Sequence, residues 1–193
     1  MATKCMINIS TPSYAEKYKR ELQSQKAYAA KYGYDFYHIN INQENPGTAK
    51  WSKVENMIHF LDRYYIVLLL DSDCYVRPNA PDIISQIEHG KTIYMAKGYS
   101  GRFNSGVILA VSSVLSREYF RKVLSSRNNT VSAQSFVNKT GENGHIIEIS
   151  NHPKYHHIFK QLSFVWNNNK FPQRADFIRH YSSGPMKAIY PKL

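Results

Sequence analysis

The segment Ile66-Val67-Leu68-Leu69-Leu70 runs straight into Asp71-Ser72-Asp73, and that junction limits the fold more than any other stretch of the chain. Five apolar residues without a polar interruption leave no face for water. A strand of that kind is buried on both sides, as in the middle of a parallel sheet covered by helices. The rest of the sequence supplies its partners. Strands are predicted at Lys4–Ser10, residues 34–41, residues 92–96, Val107–Val111 and residues 146–149, from alternating or continuous apolar patterning. Helices are predicted over residues 15–32, opened by Pro12 and Ser13 and closed by Gly33, and over residues 51–61, where Val54, Ile58 and Leu61 share a face. Two more are predicted over residues 80–88, stopped by Gly90, and residues 113–125. Pro46 and Gly47 read as loop, residues 133–137 as one helical turn in a polar stretch, and everything from Asn151 as mostly loop. Strands alternating with helices give an α/β class with a mixed, mostly parallel central sheet flanked by helices. The 193 residues fit one domain.

Ligands of open α/β sheets bind beyond the carboxyl ends of the strands, and Asp71 and Asp73 stand at such an end. Two carboxylates that close repel each other and lose hydration, so one must take up a proton or the pair must hold a cation. A divalent ion such as Mg2+ or Mn2+ takes oxygen ligands and commonly joins one or two carboxylates to substrate phosphates. It then offsets the charge that builds on a leaving diphosphate. The pattern alone admits sugar transfer, nucleotidyl transfer and phosphate hydrolysis through an aspartyl intermediate. Hydrolases of the last kind carry their acids on the first strand, where this chain has Asn8 and no acid. Nucleotidyltransferases use a Gly-rich loop after the first strand, and Asn8-Ile-Ser-Thr-Pro-Ser13 has no glycine.

Lysine and arginine number 25 against 14 acids, a net charge of +11. That surplus favours an anionic partner, whether nucleic acid, membrane surface or phosphorylated small molecule. The basic residues are spread rather than gathered in a run, and no nucleic-acid motif is visible, so no nucleic-acid partner is expected. No window offers the ~18 apolar residues of a membrane helix, and the N-terminus lacks the layout of a signal peptide. Two cysteines, Cys5 and Cys74, make no disulfide framework and suit a reducing compartment, which points to the cytoplasm. The close at Tyr190-Pro-Lys-Leu193 has no clear final element and leaves a longer parent protein open.

Four segments taken together resemble the GT-A glycosyltransferases, above all the glycogenin-like and galactosyl/mannosyltransferase-like families that retain anomeric configuration. Trp51-Ser52-Lys53 is similar to their Trp-x-Lys helix start, and Leu68-Leu-Leu-Asp-Ser-Asp-Cys-Tyr-Val76 to their strand plus metal motif. Phe103-Asn104-Ser105-Gly106-Val107 matches their Phe-Asn-Ser-Gly-Val segment. His180-Tyr-Ser-Ser-Gly-Pro-Met-Lys187 resembles their closing His-Tyr-x-Gly-x-x-Lys, with one extra residue before the glycine. The order of the four is more specific than any one of them. The resemblance implies a GT-A fold and transfer of a hexose-type sugar from a UDP-sugar to a saccharide hydroxyl, with retention and with Mn2+ or Mg2+ as cofactor. It implies metal binding by Asp71, Asp73 and His180. It places Ile9, Ser10, Thr11 and Tyr14 around the uracil, and Asp71 near the ribose, with Ser72 among the nucleotide contacts. Lys187, with Gly184 allowing close backbone approach, falls to the diphosphate, Lys53 to the nucleotide or the leaving phosphates, and Asn104 and Ser105 to the donor sugar. The same families carry an Asp-Gln pair before a late strand, whose nearest equivalent here is Glu142-Asn143. Glu142, Asn143 and Asn104 are therefore the catalytic candidates, with Glu142 set to stabilise a sugar cation.

Plainer readings stand beside these. Trp51 reads as a packing residue, while Trp166, amid residues 167–169, is a candidate platform for a sugar. His152, His156 and His157 read as surface residues, their spacing being poor for a metal. Asn8, Asn128 and Asn138 begin Asn-x-Ser/Thr patterns that carry no meaning in a cytoplasmic chain. The enzymatic alternative is a nucleotidyltransferase on a related fold. The non-enzymatic one is a basic nucleic-acid or glycan-binding module, drawing on the 15 tyrosines and nine phenylalanines.

Overall fold

The computed structural model describes residues 3–41, 46–136, 141–182 and 184–190. Val137, Asn138, Ser183 and the closing residues 191–193 lie outside that set. The strands are β1 (Lys4–Ser10), β2 (Asp35–Asn40), β3 (Ile66–Leu70), β4 (Cys74–Val76), β5 (Ile93–Ala96), β6 (Val107–Val111), β7 (Phe159–Leu162) and β8 (Ile178–His180). The helices are α1 (Pro12–Lys17), α2 (Lys19–Tyr32), α3 (Pro46–Leu61), α4 (Val114–Ser125), α5 (Asn143–Ser150) and α6 (Gly184–Ala188). Six strands form one sheet in the order β2-β1-β3-β6-β5-β7, and β4 pairs with β8 in a second, two-stranded sheet. β6 is antiparallel to both its neighbours, while the β1–β2, β1–β3 and β5–β7 pairs are parallel. The mixed, mostly parallel α/β sheet is therefore the one expected.

β3 is the spine that its composition predicts. Val67 and Leu69 face a core built with Trp51, Val54, Met57, Phe60 and Leu61 of α3 and Tyr119, Phe120 and Val123 of α4. Ile66, Leu68 and Leu70 face a second core with Tyr28 and Ala29 of α2. Side chains alternate across a strand, so a strand with no polar residue must be covered on both faces, and this one is.

Local capping explains most helix ends. The Thr11 side chain accepts from Tyr14 N at the start of α1, with Pro12 in the first turn. Gly33 ends α2 in the left-handed region at φ 69°. Ser113 and Ser116 form a reciprocal capping box on α4.

Five expectations need correction. The single helix predicted from residue 15 is broken at Tyr18 into α1 and α2. α3 begins at Pro46, not Trp51, because proline fits the first helical turn, where its missing N–H costs nothing. The helix predicted over residues 80–88 shrinks to one 3-10 turn, Ile83–Gln86. Pro81 disfavours helix for Ala80 before it, and Asp82 caps the short turn instead. The strand predicted at residues 146–149 is helical, within α5. The long-range contacts decide it: Asn143, first in α5, bonds Ser105 N and Phe103 O, and Glu148 accepts from Ser132 Oγ at 2.6 Å. The tail from Asn151 contains β7, a sixth strand of the main sheet, and β8. Both are short and are defined by distant partners rather than by local pattern. The predicted turn in the polar stretch is present where described, with Ser135 N and Phe136 N both donating to Ser132 O. Among the described residues no helix is long and apolar enough to cross a membrane, and Cys5 and Cys74 are free and buried.

Candidate functional site

The reversal of β6 builds the site. Leu70, last in β3, is paired with Val107, first in β6. The acidic loop leaving β3 and the Asn104-Ser105-Gly106 loop entering β6 therefore meet at one end of the sheet, where Asp71 N donates to Gly106 O at 2.8 Å. The small sheet adds the third side. Cys74 is in register with His180, and Tyr181 N donates to Asp73 O at 3.0 Å.

His180 is 1% exposed. Its Nε2 lies 3.1 Å from Asp73 Oδ1 and 3.8 Å from Asp71 Oδ2. The 3.1 Å approach is not directed as a hydrogen bond, and among the described residues Nε2 is a buried polar atom without a partner. On the other side of the ring, Nδ1 sits 2.8 Å from Asn167 Oδ1. A Cβ on Gly106 would fall 2.0 Å from His180 Cε1, so only glycine lets the imidazole lie against the strand there.

Lys53, near the middle of α3, reaches in from the opposite side. Its Nζ is 2.9 Å from Asp71 Oδ1 and 2.7 Å from Glu142 Oε1. Ser105 Oγ donates to the same Glu142 oxygen at 2.7 Å. Asn143, next in the chain, clamps the loop before β6: its Oδ1 accepts from Ser105 N at 2.9 Å and its Nδ2 donates to Phe103 O at 3.1 Å. Asn104 Oδ1 accepts from Gly106 N at 3.0 Å.

The electrostatics show a site short of positive charge. Burial pushes the Asp71 carboxyl above its usual range, and Lys53 and His180 only partly oppose it. Burial also works upward on Asp73 and Glu142, but His180 with Lys53 and Lys187 outweighs it for the first, and Lys53 with hydrogen bonds from Ser105 and the main chain for the second, leaving both below the usual range. Burial draws Lys53 down, yet Asp71 and Glu142 hold it above the ordinary lysine value. Three carboxylates against one ammonium leave a net −2 when all are ionised. An unpartnered imidazole nitrogen beside two carboxylates fits a divalent cation, and the donor set of one nitrogen with oxygens suits Mn2+ better than Mg2+. Asp73, Cys74 and His180 form a group close enough to hold a metal. Cys74 is the weakest member, because burial keeps its thiol well above the usual pKa and its Sγ donates to Gly106 O. Asp71, with its oxygen 3.8 Å from His180 Nε2, is the better third ligand.

The predicted nucleotide side is less uniform. Ser10 Oγ bonds His38 Nε2 at 2.7 Å, and Ser72 Oγ is directed to Asn8 Oδ1 and Ile9 O, so both hydroxyls are engaged by the protein's own groups. Thr11 caps α1. Tyr14 is 49% exposed and its ring lies 5.4 Å from that of Tyr18. Lys187, in α6, donates from Nζ to Tyr18 OH at 3.1 Å. Burial draws Lys187 down, but Tyr18, Tyr14 and, more weakly, Asp73 hold it above the usual value. Gly184 opens α6.

Three residues that sequence reasoning passed over support the site from behind. Asn8 Nδ2 donates to Leu70 O at 3.0 Å and Gln25 Nε2 to Asp71 O and Cys74 O at 2.9 and 2.8 Å, so two buried amides hold the acidic loop in place. Asn167 joins His180 to Asn104. An asparagine in the first strand is a visible signal, since a buried amide must be satisfied, but its partners are not legible locally. Trp51 packs, as expected, with its ring 5.0 Å from His145. Trp166 does not offer a sugar platform: it is 2% exposed and packs on Phe177. His152, His156 and His157 are exposed.

No known family profile matches the chain, and no curated protein matches its sequence. Solved structures do. A glycosyltransferase involved in glycosylation of the major capsid of PBCV-1 superposes with a TM-score of 0.74 at 16% identity, covering 96% of each chain. The fold is that of the GT-A glycosyltransferases. WbbM, a bifunctional glycosyltransferase, is similar to this chain at TM-score 0.64 and 9% identity over 95% of it, and GlyE from Streptococcus pneumoniae TIGR4 at 0.58 and 13% over 86%. The chain spans about half of each of those two, 46% and 47%. Mouse xyloside xylosyltransferase 1 is similar at TM-score 0.52 and 13% identity.

Proposed function

We propose that this GT-A chain is a glycosyltransferase that moves a hexose-type sugar from a UDP-sugar to a saccharide hydroxyl, retaining anomeric configuration, with a divalent cation held by Asp71, Asp73 and His180. The observation that carries the reading is the buried His180 Nε2, without a hydrogen-bond partner among the described residues and 3.1 Å from Asp73 Oδ1 at the carboxyl end of β3. When bound, the cation supplies Lewis-acid stabilisation of the departing UDP. The chain's own residues do the rest. Lys187 leaves Tyr18 to meet the diphosphate, adding a second positive charge where negative charge develops, and stabilisation of that kind is commonly the largest catalytic contribution. Tyr14 offers an exposed ring to the uracil. Asn104 and Ser105, at the head of β6, face the donor sugar.

Glu142 is an ionised carboxylate held by Lys53 and Ser105. It stabilises the positive charge that grows on the sugar as the phosphate leaves, and Lys53 keeps it from taking a proton. The incoming hydroxyl attacks on the face the phosphate vacates and passes its proton to a phosphate oxygen. Asn143 has both ends of its amide engaged by the main chain, so it positions Ser105 rather than touching substrate.

The test is UDP release from a panel of UDP-sugars with Mn2+, with EDTA, and with Asp73→Ala. Release that persists under EDTA and in the variant would refute the metal role. A panel in which every nucleotide sugar fails to bind would refute the activity.

A further inference from the structure

We propose that Asn167 is a positioning residue whose amide locks His180 into the Nδ1–H form, so that the Nε2 lone pair is the one presented to Asp71 and Asp73. The inference rests on the metal reading above.

An asparagine amide has two ends of opposite character, and a neutral histidine carries its proton on either nitrogen. Here the contacts leave one arrangement. Asn167 Nδ2 lies 3.1 Å from Asn104 O and 3.0 Å from Asn104 Oδ1. The first is a main-chain carbonyl, which only accepts. The second already accepts from Gly106 N at 3.0 Å. The group facing them must therefore be the NH2. The opposite end of the same amide, 2.8 Å from His180 Nδ1, is the oxygen, so Nδ1 must donate. A neutral ring that donates from Nδ1 has its lone pair on Nε2.

Both residues are 1% exposed, so water does not compete for either end of the amide. Gly106, having no Cβ, lets the ring lie close against the backbone at the head of β6. Remove the Asn167 oxygen, and a proton on Nδ1 of the neutral ring loses its acceptor, whereas a proton on Nε2 faces the negative charge of Asp73 3.1 Å away. That form offers a proton, not a lone pair, to the place where the cation belongs. A partner on the far nitrogen that fixes ring and tautomer is a general feature of ligating histidines. Asn167 has a second consequence: by holding Asn104, it ties the histidine to the loop that heads β6.

The experiment uses the whole chain with Asn167→Ala and Asn167→Asp, both checked for folding by circular dichroism. Mn2+ affinity is read by electron paramagnetic resonance. The His180 tautomer is read by long-range 1H–15N NMR on metal-free, 15N-histidine-labelled protein at a pH where the ring is neutral. The wild type should show Nδ1–H. Asn167→Ala should move the proton to Nε2 and weaken Mn2+ binding by about 10–100-fold. Asn167→Asp keeps an acceptor for Nδ1–H, though it sets an oxygen against Asn104 O and Oδ1, and should bind Mn2+ more tightly than Asn167→Ala. A wild-type ring protonated on Nε2, or a folded Asn167→Ala that binds Mn2+ as wild type does, overturns the proposal. If the wild type takes up no Mn2+, the metal reading fails while the spectra still decide the role of Asn167. If both variants fail to fold, the wild-type spectrum decides it.

Discussion

Gly106→Ala is the sharpest perturbation the site allows. A Cβ at that position would lie 2.0 Å from Cε1 of His180, 2.6 Å from Nδ1 and 2.8 Å from Nε2. Carbon atoms in contact need about 3.5 Å, so ring or strand must move by roughly 1.5 Å. Neither has room. His180 is held through Asn167 and by register with Cys74. Gly106 O accepts from Asp71 N and from Cys74 Sγ. Overpacking of this kind costs about 1–3 kcal/mol, which for a chain of this length is about 2–12 °C in Tm. The functional loss should be larger, because misplacing a site group by about 1 Å costs on the order of 100-fold in rate. Differential scanning fluorimetry with and without Mn2+, followed by UDP-release assays, reads both effects. A Gly106→Ala protein that melts within about 1 °C of wild type and keeps its Mn2+-dependent rise would refute the packing argument.

Four other outcomes are expected. Lys53→Met strands Asp71 and Glu142 without their shared cation and should cost about 3–5 kcal/mol in urea unfolding; Lys53→Met/Glu142→Gln should recover part of that loss. Mn2+ at about 100 times its Kd should add about 2.7 kcal/mol of stability, EDTA should remove it, and Asp73→Ala should show no such gain. Ser113→Ala breaks the capping box on α4 and should cost about 1 kcal/mol in the same unfolding assay while leaving UDP release unchanged. Burial lowers the pKa of His145 and His38 in the folded chain, so the unfolded chain binds the extra protons. That stability is full above the ordinary histidine value of about 6.5 and is lost as pH falls through the folded values; His145→Gln should flatten the slope between about pH 7.5 and 5.5, measured by urea midpoints.

What the sequence disclosed, and what it hid, follows from how far each determinant reaches along the chain. β1, β3 and β6 match their predicted bounds because a central strand states its own burial in its composition. The closeness of Asp71 and Asp73 was legible from their spacing, and the four motifs pointed to their neighbours Lys53 and His180. β7 and β8 were not legible, since four- and three-residue strands are fixed by partners far away in sequence. α5 was misread because isoleucines favour strands locally, whereas its first residues are drawn into the site by Asn143 bonding the loop before β6. Trp166 looked like an open platform because three asparagines follow it, but Asn167, Asn168 and Asn169 are all buried and hydrogen-bonded. Polarity of sequence predicted solvent there, and the amides were instead satisfying one another's surroundings.

The hairpin between Ala96 and Phe103 hangs from the site without setting its inner dimensions. It turns through Gly101, at φ 75°, and closes with a bridge between Lys97 and Phe103. Because Leu70 and Val107 are ladder partners, the span from Asp71 to Ser105 is a property of the sheet and is indifferent to how long that hairpin is. A longer or shorter hairpin there would change the rim of the site while the ladder keeps Asp71 and Ser105 at their spacing, so the two can vary independently.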